Sequence, residues 1–234
     1  MQKQTITLKV VGANDMNAYV ASPDSQGKYA AVIIFQEAFG VNGHIKQVTD
    51  KLAAEGYIGI APELFHRTAP PGFEASYTDF ESVRSHIGVL TTDNLIQDIR
   101  AVFEWLLQNA QVTNNNIAAI GFCLGGRVAF LANATIALAA SVSYYGGAIQ
   151  TIAEKAKDTR APQLFFWGGL DRHILPEHIE TTIKEMKAAG KEYINTVFSY
   201  ADHGFNCDEK PAYNRKAASE AWALTLTFLK NNFQ

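Results

Sequence analysis

The spacing of apolar residues changes its period along the chain. Near the start, Ile6, Leu8 and Val10 alternate with polar neighbours, and Ala18-Tyr19-Val20 follows a short turn. A period of two predicts antiparallel strands with one face on a core. Beyond the turn-rich stretch 22–27 the texture differs. Residues 30–35 are an unbroken apolar run rich in β-branched side chains, the pattern of a strand covered on both faces. Ile45, Val48, Leu52 and Ala53 then recur at helical spacing, and Gly56 marks a stop.

The same alternation repeats to the end. Residues 57–61 read as a strand closed by Pro62. Leu95, Ile96, Ile99, Val102, Phe103 and Leu106 mark an amphipathic helix, with Thr91, Thr92 and Asp93 as candidate caps. Strands are predicted at 117–120, 138–142, 163–167 and 193–199, and helices at 124–132, 176–189 and 213–233. Strands alternating with helices specify an α/β fold: a mostly parallel, doubly wound sheet with helices on both faces, entered through the antiparallel N-terminal strands. No repeat or linker-like seam appears, so one domain over residues 1–234 is expected. Residues 62–90 break the rhythm, separating a strand from its crossover helix by far more than a few residues. This insertion holds Pro70-Pro71-Gly72, several aromatics and Arg84. It reads either as a lid or substrate wall, or as an irregular surface excursion.

Composition narrows the function classes. With 47% hydrophobic and 18% charged residues, the 234-residue chain matches a globular protein rather than a disordered one. Twenty basic against 23 acidic residues give a net charge of -3, and nucleic acid, which selects a basic surface, is not expected as a partner. No apolar stretch approaches the roughly 18 residues that span a bilayer, so no membrane association is expected. The first residues lack the apolar region of a secretory signal. Two cysteines, Cys123 and Cys207, make neither a disulfide framework nor a metal-ligand spacing. The expected location is the cytoplasm. The absence of HExxH, GxGxxG and Walker patterns leaves no cofactor or metal to expect.

The informative segment is Gly121-Phe122-Cys123-Leu124-Gly125-Gly126, between a predicted strand and a predicted helix. A nucleophile on so sharp a turn crowds the backbone, and glycines two residues before and after relieve it. With 17 glycines in the chain, a given cysteine is flanked this way by chance in about 0.5% of cases. The position is chemically apt as well. The positive end of the helix dipole favours an anionic sulfur, and the Leu124 N–H points where an oxyanion would develop. A second donor must come from the loop after an earlier strand, where Gln36-Glu37-Ala38-Phe39-Gly40 offers the N–H of Ala38.

Such a nucleophile needs a base and a group to orient it, and on elbows of this kind the order is nucleophile, acid, histidine. Of the six histidines, only His173, His178 and His203 follow Cys123. The first two lie on the stretch that would supply the acid. His203 lies just beyond the last predicted strand, and Asp171 follows the strand at 163–167 behind Gly168-Gly169-Leu170. All three candidates thus fall at the carboxyl ends of strands, where open α/β sheets place their sites. Asp202 is a rival acid, but a sequence neighbour reaches the far ring nitrogen of His203 poorly.

Together, Gln36-Glu37-Ala38-Phe39-Gly40, the cysteine elbow, Gly169-Leu170-Asp171 and His203-Gly204-Phe205 resemble the dienelactone hydrolase (carboxymethylenebutenolidase-like) family. The likeness continues through Tyr213-Asn214 and Ala217-Ala218 to Trp222. It implies an α/β-hydrolase fold, a Cys123-His203-Asp171 triad, and a Glu37 carboxylate that bonds the thiol and helps move its proton. It also implies a small-molecule ester or lactone as substrate. The namesake enzyme carries an arginine four residues after the histidine, where this chain has Cys207. Arg84 is the candidate substitute for holding a substrate carboxylate.

Tyr144, Phe39 and Trp167 are further candidate substrate contacts; with Phe122 and Tyr145 they read equally as wall or core. Arg127 reads as a packing or surface residue. Two other functions remain open: a non-catalytic binding protein on a hydrolase fold, and a thiol redox protein using Cys123 and Cys207. The sequence leaves the oligomeric state undetermined.

Overall fold

The computed structural model describes Met1 to Gln234, apart from the side chain of Asn114. Its backbone divides into two compact units, Met1–Ile117 and Ala118–Gln234.

The first unit holds β1 (Gln2–Leu8), β2 (Met16–Ser22), β3 (Tyr29–Phe35), α1 (Gly43–Ala54), β4 (Ile58–Pro62), α2 (Glu81–Gly88) and α3 (Thr92–Gln108). Its strands lie in the order β1-β2-β4-β3. The β1–β2 and β2–β4 pairs are antiparallel, and β3–β4 is parallel. The apolar run of β3 is buried from Ala31 to Phe35, as a strand covered on both faces must be. The Asn42 side chain caps α1 by accepting from the Ile45 amide, and that of Thr91 caps α3 by accepting from Asn94. Leu95, Ile99, Val102 and Leu106 form the buried stripe of α3.

β5 (Val112–Phe122) leads into the second unit, which continues through α4 (Leu124–Thr135), β6 (Ala140–Tyr144), a 3₁₀ segment at Ile149–Asp158, β7 (Gln163–Gly168), α5 (Pro176–Ala188), β8 (Tyr193–Phe198) and α6 (Arg215–Asn232). Its strands are ordered β5-β6-β7-β8, and all three pairings are parallel. Tyr144, Phe166, Phe198 and Phe205 form a chain of ring contacts in its core. Among the described residues no helix is long and apolar enough to cross a membrane.

Several boundaries depart from the sequence pattern. β6 spans Ala140–Tyr144 rather than 138–142, running on through the buried Ser143 to pair with β5 and β7. The 3₁₀ segment and α2 lack a long apolar period and escape the pattern altogether. The insertion 62–90 is tied to its own unit. Glu63 accepts the Gly72 amide at 2.9 Å, Glu74 pairs with Lys46, and Tyr77 meets the edge of Phe39 at 4.9 Å. Gly40 lies at φ +85°, and a Cβ there would collide with the Phe73 carbonyl oxygen.

The strongest anchor of the insertion is ionic. Asp98 of α3 is fully buried, with Arg67 Nη1 2.8 Å from Oδ2 and His66 Nε2 3.0 Å from Oδ1. Removing one member of such a buried pair strands the other charge. Asp98→Ala is therefore expected to cost about 3–5 kcal/mol in urea unfolding. Amide exchange should rise first within residues 62–90.

Candidate active site

The turn between β5 and α4 is built by steric exclusion. Cys123 sits at φ +53°, ψ -115°, a left-handed region costly for a residue with a Cβ. The neighbouring glycines make that conformation attainable. A Cβ on Gly121 would strike the Gly125 carbonyl oxygen, and one on Gly126 would come within 2.6 Å of Gly146 Cα. Backbone bonds then lock the turn. The Cys123 amide donates to Tyr144 O at 3.0 Å, and its carbonyl accepts from Gly126 (3.0 Å) and Gly147 (3.2 Å). The Leu124 amide opens α4 and has no hydrogen-bond partner among the described residues.

The acid and the histidine are carried by two loops that touch through glycine. A Cβ on Gly168 would lie 2.7 Å from Ala201 O, and one on Gly169 2.6 Å from Ser199 Cα. That approach permits the amides of Gly169 and Leu170 to bond Phe198 O and Ala201 O at 2.8 and 2.9 Å. The outcome is a linear relay: Cys123 Sγ is 3.1 Å from His203 Nε2, and His203 Nδ1 is 2.7 Å from Asp171 Oδ2. The other carboxylate oxygen of Asp171 accepts the amides of His173 (2.7 Å) and Ile174 (3.0 Å). Asp202, the rival acid, instead spends Oδ1 on the amide of His203 at 2.6 Å.

The electrostatics follow from this geometry. Burial alone would lower the His203 pKa, but the Asp171 and Cys123 partners outweigh it and push it up to about 10. Burial would raise Asp171, yet bonds from His203 and two backbone amides hold it below the usual carboxylate range. The imidazole is also enclosed by rings, with Tyr145 at 5.2 Å and His173 at 5.4 Å between centroids. Sequence reasoning passed over His173 as part of the acid's own stretch. Only folding brings its ring onto His203.

Other sequence candidates fall elsewhere. Tyr144 is fully buried among Phe122, Phe166 and Phe205; its hydroxyl lies 2.6 Å from Thr225 Oγ1, and burial pushes its pKa up. Trp167 is likewise buried and donates Nε1–H to Asn195. Both are core residues rather than open pocket wall, because neighbouring rings cover them: Phe122, Phe166 and Phe205 around Tyr144, and Phe165 stacked on Trp167. Arg84 is 70% exposed and pairs with Glu81 on its own helix at 3.3 Å. Arg127 is half-buried on α4, and desolvation lowers its pKa. In the first unit, Glu37 and Ala38 are buried just past β3, and Phe39 packs on Tyr77. Cys207 is fully buried, and neither cysteine is bridged.

Comparison with known proteins is consistent across the chain. A family model described as "Dienelactone hydrolase family" matches residues 16–233. A protein of Synechocystis sp. named "Putative carboxymethylenebutenolidase" is 34% identical over 223 residues, covering 87% of each chain. One of the same name from Yersinia pestis is 34% identical over 227 residues, covering 91% of this chain and 82% of its own. The crystal structure of a "Putative Dienelactone Hydrolase" from Klebsiella pneumoniae superposes with a TM-score of 0.84 at 28% identity, covering 97% of this chain and 99% of that one.

Two outcomes test this geometry. Gly121→Ala is expected to lower stability by about 2–4 kcal/mol in urea, since the collision is with backbone that cannot swing away. The imidazolium of His203, followed by NMR, is expected to lose its proton near pH 10. In Asp171→Asn that titration moves down toward the ordinary histidine value of about 6.5. A raised pKa contributes stability in full below about 6.5 and loses it as pH climbs to about 10, so the variant's stability deficit should shrink over that range.

Proposed function

The chain belongs to the dienelactone hydrolase family, and from that premise we propose that it is a cysteine hydrolase of small esters or lactones. The observation that carries the reading is the sulfur–imidazole–carboxylate line, with spacings of 3.1 and 2.7 Å. Each spacing is within the reach that proton transfer requires.

The steps follow from the groups present. Because His203 keeps its proton at neutral pH, an adjacent positive charge stabilises an anionic sulfur at Cys123. The sulfur attacks the carbonyl carbon and the carbonyl π pair moves onto oxygen. The amides of Leu124 and Ala38 receive that oxyanion, and the free Leu124 N–H supports this assignment. The intermediate collapses and expels the alkoxide or enolate, which takes the proton from His203 Nε2. In a lactone the leaving oxygen remains attached to the acyl chain. Water then attacks the thioester, giving one proton to His203, and sulfur leaves with the carboxylic acid formed. Asp171 holds the Nδ1 proton throughout and stabilises the imidazolium. Glu37 is assigned to accept the thiol proton as substrate arrives, which leaves the anionic sulfur that attacks, and to return it once sulfur has left the product.

Sulfur's own leaving ability selects the substrate class. A tetrahedral adduct on an amide would expel thiolate in preference to amine, whereas activated esters, enol lactones and thioesters carry leaving groups that compete. Holding a substrate carboxylate is the role proposed for Arg84, with Phe39 shaping a wall around the acyl chain; Tyr144 and Trp167, being core residues, take no part.

Cys123→Ala is expected to lose at least about 10³-fold in kcat on p-nitrophenyl acetate and on a small enol lactone. Wild-type protein quenched in acid during turnover should carry one acyl group, released by hydroxylamine, on the peptide containing Cys123. Full turnover by the alanine variant in pure protein would overturn the assignment.

A further inference from the structure

The outer edge of the second unit's sheet is unguarded. β8 is its terminal strand and pairs with β7 from Tyr193 to Phe198 in one continuous register. Among the described residues, 193–197 make no backbone hydrogen bond beyond that ladder. The outward amides and carbonyls are therefore open to another strand. Sheets ordinarily blunt such an edge with a charge, a proline or a bulge. Residues 193–201, Tyr-Ile-Asn-Thr-Val-Phe-Ser-Tyr-Ala, carry neither charge nor proline. Ile194 is 40% and Val197 49% exposed; their spacing places them on opposite faces of the strand.

The flanking helix says what fits there. Beside β8 runs an open groove of about 350 Å³, lined by Ile179, Glu180, Ile183, Lys184, Lys187 and Asn195. α5 bears Glu177 and Glu180 in its first half, and Lys184 and Lys187 in its second. None of these four makes an ion pair within the chain among the described residues. Of the charged residues of α5, Glu180, Lys184 and Lys187 line the groove, and Glu177 and Glu185 do not.

We propose that this edge docks on the same edge of a second copy of the chain. Two β8 strands run antiparallel about a twofold axis perpendicular to the sheet, so each supplies the other's missing hydrogen bonds. That axis keeps equivalent faces on the same side, and the two α5 helices lie alongside in opposite directions. The acidic half of one then meets the basic half of the other, while Ile194 and Val197 are covered on the two faces. A strand from an unrelated protein would gain the backbone bonds without the matched charges. The inference is independent of the catalytic assignment.

Sedimentation velocity from about 1 to about 200 µM spans the affinities of a small interface of roughly 1,000 Å². The wild-type chain is expected to shift from monomer to dimer across that range. Val197→Lys should remain monomeric throughout with an unchanged far-UV spectrum; Ile194→Lys serves if that spectrum changes. Charge reversal on α5 gives the finer test. Lys184→Glu with Lys187→Glu, and separately Glu177→Lys with Glu180→Lys, should each weaken self-association at least about tenfold, and equimolar mixing should restore a dimer. A wild-type monomer at every concentration, or a dimer indifferent to lysine on β8, overturns the proposal. Failure of the two charge-reversed chains to recover on mixing overturns the antiparallel arrangement.

Discussion

Cys123 adopts φ +53°, where an L side chain crowds the adjoining peptide units, and backbone hydrogen bonds hold it there. Its amide is tied to Tyr144 at the end of β6, and its carbonyl to Gly147 beyond β6 and to Gly126 in α4. The turn is thus braced by strand, loop and helix at once. The strain has a direct geometric return: it places sulfur off the strand end, at the opening of α4, with the first helical amide unpartnered beside it. A relaxed residue at this position would continue β5 or begin α4 early, and sulfur would no longer meet the imidazole.

The same economy of side chains positions the other two groups. Gly168 and Gly169 admit the backbone of residues 199–202 to within contact distance, and cross-loop bonds to Phe198 and Ala201 fix the approach. Asp171 and His203, 32 residues apart in sequence, thereby become a 2.7 Å pair. Asp171 is in turn oriented by two amides from its own turn. Its charge is therefore satisfied on one oxygen by backbone and on the other by imidazole, the arrangement that keeps a buried carboxylate ionised. Tyr145 and His173 enclose the histidine ring, leaving its orientation little freedom.

The two units spend polar groups differently. In the first, a buried cluster of His66, Arg67 and Asp98 pins the long insertion to α3, where apolar contacts alone would leave an irregular segment loosely held. In the second, charge is withheld from the outer strand, and the adjacent helix carries acid at one end and base at the other. An ionic anchor belongs where a segment must be retained within one chain. An uncharged edge beside a charge-reversing helix belongs where a second chain completes the sheet.

Much of this was legible along the chain. Alternating strands and helices, the antiparallel entry, the cysteine elbow and the order of Cys123, Asp171 and His203 follow from side-chain period, turn sterics and chain order. Period and turn sterics are properties of neighbouring residues, and the chain order is a rule of the fold that the sequence also displays. What packing decided was not legible. Ser141 and Ser143 lie buried within β6 because flanking strands and helices cover them, and Tyr144 and Trp167, readable as pocket wall or core, are core for the same reason. Arg84 faces solvent beside Glu81 because α2, which no apolar period announced, presents it there. His173 reaches His203, and β8 is left as an edge, only through the three-dimensional order of strands and loops. Local periodicity determines what each segment becomes; which groups meet, and which stay uncovered, depends on distances between segments that tertiary packing alone sets.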